Sequence, residues 1–131
     1  MKPLFYLLCL TSIAGARLGE TREQSAARYG AAIETGAEST IHEHDGQRVE
    51  LLYGSDGKAR EVRFAKHPSI MAGRYSPMTP ALITEHLQNA QAGEWQRLPG
   101  RVVKETWTSP DGQLQAIFDH RLKILAISPV Q

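Results

Sequence analysis

The sequence predicts an α+β protein in which an antiparallel sheet is packed by two short helices. Three observations carry that expectation. Two helix starts are marked by capping threonines, Thr21 with Gln24 three residues on and Thr79 with Pro80 directly after it. Runs of alternating polarity follow each helix rather than alternating with helices, as an antiparallel sheet requires. Asp-Gly pairs at Asp45-Gly46, Asp56-Gly57 and Asp111-Gly112 separate these runs, and glycine takes the positive φ of tight turns at no steric cost.

The first helix should run from the cap at Thr21 through Ser25, Ala26, Ala27, Arg28 and Tyr29 to Gly30, which suits the position just past a helix end. Ala26, Ala27 and Tyr29 are its expected buried face. Residues 31–39 carry mixed signals. Three strands are then expected at Thr40–His44, Arg48–Tyr53 and Lys58–Lys66. In the third, Ala59, Glu61 and Arg63 should share a wet face, and Arg60, Val62 and Phe64 a mostly dry one.

His67 to Pro77 reads as a connecting loop. Beyond it Leu82, Ile83, Leu87 and Ala90 recur at helical spacing, and Gly93 ends the run. Three more strands are expected at Val102–Thr108, Gln113–Asp119 and Leu122–Ser128, turned by residues 109–112 and by Asp119-His120-Arg121. The two halves share one grammar, and the interval from Thr21 to Gly57 nearly matches that from Thr79 to Gly112. We read this as a degenerate tandem α-β-β-β pseudo-repeat over about 18–67 and 78–131, within one domain spanning 17–131.

The first sixteen residues read as a cleavable signal peptide. Lys2 is the positive start, Leu4 to Ile13 an apolar core too short for a bilayer span, and Ala14-Gly15-Ala16 a peptidase site that places the cut after Ala16. Cys9, the single cysteine, follows Leu7 and Leu8 and so does not suit lipid attachment. Cleavage would remove the only thiol, excluding disulfides, thiolate metal sites and a cysteine nucleophile from the mature chain. It would also remove Lys2, bringing the 15 basic residues of the full chain level with its 14 acidic ones. A neutral chain without a basic run has no electrostatic footprint for nucleic acid. The expected location is the periplasm or the exterior, with no stable membrane insertion after cleavage.

Leu18-Gly19-Glu20-Thr21 with Gln24, Arg28, Tyr29 and Gly30, and later Trp107-Thr108 with Asp111-Gly112 and Ala116, resembles a group of small exported bacterial proteins of unknown function. The helix-then-strands order is also similar to the repeat of the beta-lactamase inhibitor protein fold and of the BamE-type outer-membrane assembly lipoproteins. Those families bind other proteins and do no chemistry, so the resemblance implies a binding or assembly role. The chain departs from them in lacking the lipidated cysteine of the one and the disulfides of the other.

His42-Glu43-His44-Asp45 is the most suggestive cluster for chemistry. Alternate strand residues point the same way, so His42 and His44 are candidate metal ligands, with a third to come from His67, His86, His120 or a carboxylate. The competing reading is a solvated edge strand entering a turn. Asp56 and Asp111 are explained by turn formation rather than by a catalytic pair. No serine lies in a nucleophile elbow and no glycine loop cradles phosphate. No catalytic residue and no cofactor is therefore expected. Trp107 is expected in the core, whereas Trp95 and Tyr75 are candidates for an interaction surface. The chain thus reads as an exported, non-catalytic binding or assembly module for another envelope or extracellular protein. The alternative is a small metal-dependent protein or enzyme built on His42 and His44.

Overall fold

A computed structural model describes residues 18–66, 78–100 and 103–130. The expected loop at 67–77, with Tyr75 and His67, lies outside the described residues, as does the expected signal segment. Two helices, α1 (Arg22–Tyr29) and α2 (Pro80–Ala90), accompany eight strands. These are β1 (Glu34–Thr35), β2 (Ser39–His44), β3 (Gln47–Tyr53), β4 (Ala59–Lys66), β5 (Gln96–Leu98), β6 (Lys104–Thr108), β7 (Leu114–Asp119) and β8 (Ile124–Pro129). They form one antiparallel sheet in the order β1-β2-β3-β4-β8-β7-β6-β5. Two meanders meet along their last strands, and the class is α+β as expected.

Both helices start where the caps predict. Thr21 accepts from the Gln24 N–H at 3.3 Å while the Gln24 side chain accepts from the Thr21 N–H at 2.9 Å, closing a capping box. Thr79 accepts from the Leu82 N–H at 3.2 Å. The buried face of α1 differs from expectation. Ser25 and Tyr29 are buried, one turn apart, whereas Ala26 is half-buried and Ala27 exposed. Ser25 tolerates full burial because its hydroxyl donates to the Thr21 carbonyl at 3.0 Å. Helix α2 buries Ile83 and Leu87 and stops at Ala90, short of Gly93.

Each helix precedes four strands rather than three. The two unforeseen strands are short edges whose residues are all exposed, so no side-chain alternation announces them. The face of β4 also needs correction. Its register with β3 shifts at Leu52/Tyr53, pairing Leu52 with Glu61 but Tyr53 with Ala59. Arg60 is the extra residue of this bulge, so it points to solvent while Ala59 joins Val62 and Phe64 in the core. Beside β4, β8 begins at Ile124 rather than Leu122, because Asp119 to Lys123 form a longer turn closed by the Lys123 N–H on the Asp119 carbonyl at 2.7 Å.

The core lies between the helices and one sheet face, here the inner face. One inner row runs Thr40-Leu51-Val62-Ile127-Ala116-Trp107 across six strands, and the next runs His42-Val49-Phe64-Leu125-Phe118-Glu105. Tyr29, Ile83 and Leu87 close over the middle of these rows.

Candidate functional site

Strand alternation puts His42 and His44 on the same side of β2, as the sequence implied, but their environments differ completely. His42 is 1% exposed and both its ring nitrogens are engaged. Nδ1 lies 2.7 Å from the Gly30 carbonyl, which can only accept, so Nδ1 carries the proton. Nε2 lies 2.9 Å from the Thr40 hydroxyl, itself 2.8 Å from the Tyr53 hydroxyl. His42 is thus the centre of a buried chain tying α1's exit to β2 and β3, and the solvated-edge reading fails for it. His44 lies at the surface, with Nε2 3.3 Å from Asp45 and its ring edge-on to Tyr29 at 5.6 Å.

The sequence did not single out His86 beyond its use as a third ligand, yet it is the most perturbed titrating group among the described residues. Its ring stacks on Phe64, centroids 3.8 Å apart at 14°, and Nε2 donates to Gln47 Oε1 at 2.7 Å. Gln47 in turn donates to Met78 Sδ. Burial, and secondarily the nearby His44, pushes His86 down from 6.5 to about 4, holding it neutral. The available signal was its position one turn beyond Leu82 and Ile83, beside the buried stripe. His44 and His86 face each other across a cleft of about 430 Å³ between α1, the β2–β3 turn and α2. Arg28, also on this cleft, is held by a two-pronged pair with Glu20, both contacts 2.9 Å, which raises its pKa. Among the described residues no three His, Cys, Asp or Glu side chains come together to hold a metal ion.

Asp56 and Asp111 behave as turn residues. Asp56 accepts from the Lys58 N–H at 3.0 Å, and Asp111 from the Gln113 N–H at 2.9 Å and the Ser109 hydroxyl at 2.7 Å, which lowers the Asp111 pKa. Trp107 packs against the core as expected. Trp95 does so too, its Nε1 donating to the Gln91 carbonyl at 2.8 Å, so it is anchored rather than displayed.

The outer sheet face is the remaining candidate surface, since both helices pack on the inner one. Its central row runs Ile41-Glu50-Arg63-Ala126-Ile117-Thr106-Leu98. The row divides in two. On the β3–β4 side Arg63 lies 3.6 Å from Glu50 and is hydrogen-bonded to Glu61. On the β8–β5 side the aliphatic Ala126, Ile124, Ile117 and Leu98, the last 43% exposed, are interspersed with the uncharged polar Thr106, Gln115 and Ser128.

No family model and no curated protein matches the chain. Among solved structures it is similar to the crystal structure of a DUF4309 family protein (YjgB) from Bacillus subtilis. That likeness has a TM-score of 0.46 at 12% identity, covering 85% of this chain and 79% of that one. It carries no argument about activity, and none of these comparisons shows the resemblance to the beta-lactamase inhibitor or BamE-type repeat.

Proposed function

We propose that the mature chain is an exported, non-catalytic module that binds a protein partner with the outer face of its sheet. The observation that carries this reading is the division of that face. The β5 to β8 half is uncharged along its central row, where Ala126, Ile117 and Leu98 stand with Thr106, and it borders the salt-linked Glu50, Arg63 and Glu61 of β3 and β4, so that an uncharged centre meets a charged rim as at a protein-binding surface. The N-terminal pattern supports export, since the apolar core and the small-residue site stand in the order a signal peptidase reads. A metal-dependent role for His42 is disfavoured because both its nitrogens already have partners.

Two measurements test the reading. The mass of the chain recovered from its native host should correspond to a start at Arg17, and a start at Met1 contradicts export. Ala126→Glu places a carboxylate in the uncharged half of the face, directly opposite Arg63, as an opposite-charge cross-strand pair. It should abolish co-purification of the partner while leaving the melting temperature within a few degrees, and undiminished co-purification contradicts the assigned face.

A further inference from the structure

Helix α2 does not fill the inner face of β6 and β7. A cavity of about 350 Å³ lies between them, at the small end of the range usual for small-molecule sites. Its walls are apolar, with Ile83 and Leu87 from α2 opposite Trp107 and Phe118 from the sheet. The rim is polar and unevenly satisfied. Glu105 accepts from His120 Nε2 at 2.8 Å and lies 3.7 Å from Arg97 Nε. Lys123 lines the same cavity with no carboxylate partner among the described residues.

A second observation converges on Lys123. Its backbone is in the left-handed region at φ 59, which side chains disfavour and glycine or asparagine ordinarily occupy. The turn that imposes this is firmly tied, with Asp119 Oδ1 accepting from the Arg121 and Leu122 N–H groups at 2.8 and 3.0 Å. An exposed cation thus lines this cavity from a backbone position that favours glycine. Strain of this kind gathers at functional sites.

We propose that this cavity binds an apolar molecule ending in a carboxylate, with its hydrocarbon against Trp107 and Phe118 and its carboxylate on Lys123. One ammonium, rather than a cluster of arginine forks, suits a monoanion. The site is separate from the sheet face assigned above to a protein partner.

Trp95→Phe leaves Trp107 as the sole tryptophan, so the fluorescence of the full chain carrying that substitution reports cavity occupancy. The probes are decanoate, decanol and decylamine, each below its micelle concentration. Decanoate should give a saturable change and bind about threefold or more tightly than decanol, with decylamine weakest. Lys123→Gly, which suits the backbone, should reduce decanoate to the affinity of decanol without lowering the melting temperature. Thr84→Phe, at an exposed α2 position on the cavity, should block all binding. The proposal is overturned by the absence of saturable binding or by equal affinity for acid, alcohol and amine. Acid preference that survives Lys123→Gly, or binding indifferent to Thr84→Phe, overturns it equally.

Discussion

His42 and His86 show how far a residue's identity is from its role. Both lie in patterns that suggest ligands, yet each is committed to the fold by its neighbours. Replacing His42 with leucine removes two hydrogen bonds and leaves the Gly30 carbonyl and the Thr40 hydroxyl without it. Chemical denaturation should register a loss of about 2–4 kcal/mol. Tyr53→Phe, which removes only the far end of the chain, should cost about 1 kcal/mol. His86 makes a prediction with a definite sign. The folded ring takes up its proton near pH 4 and the unfolded ring near 6.5, so between those values the unfolded state holds more protons. Its contribution is complete above 6.5 and is lost as pH falls toward 4, by at most about 3 kcal/mol. In His86→Phe the ring that stacks on Phe64 cannot charge, so stability should fall less steeply across that window. An unchanged slope would show that His86 is not the group responsible.

At the scale of elements, what was legible in the sequence was whatever a local rule specifies. The helix caps and Asp-Gly turns needed only residues close in the chain. Gly57 and Gly112 both sit at φ 76, each donating its N–H to the residue three before it. Elements set by distant partners were not legible. The β4 bulge arises from pairing with β3, and β1 and β5 exist because β2 and β6 offer them backbone partners. His86 belongs with these, because Phe64, Gln47 and His44 reach it only through the fold. The glycines give a graded test of this distinction. A Cβ on Gly112 would meet nothing within 4 Å, so Gly112→Ala carries only the backbone penalty, about 1 kcal/mol. A Cβ on Gly93, at φ 124, would lie 2.8 Å from Pro110 Cγ, where the exit of α2 meets the β6–β7 turn. Gly93→Ala should therefore destabilise by clearly more than Gly112→Ala when the two melts are compared. Equal losses would mean that the β6–β7 turn yields and its contact with the exit of α2 is soft.

For the whole molecule, one continuous sheet with both helices on a single side leaves a broad outer face whose central row divides between uncharged and salt-linked halves. Composition could not reveal that division, because it depends on the antiparallel meeting of β4 with β8, which brings Arg63 beside Ala126. The proposed role rests on that face, so the most direct measurement is site-specific photo-crosslinking in the native envelope. The crosslinker is placed either at position 117 on the outer face or at the exposed Gln88 on α2. The account predicts a discrete adduct to one exported protein from position 117, lost on adding Ala126→Glu, and no such adduct from position 88. No adduct from 117, or the same adduct from both positions, would contradict it.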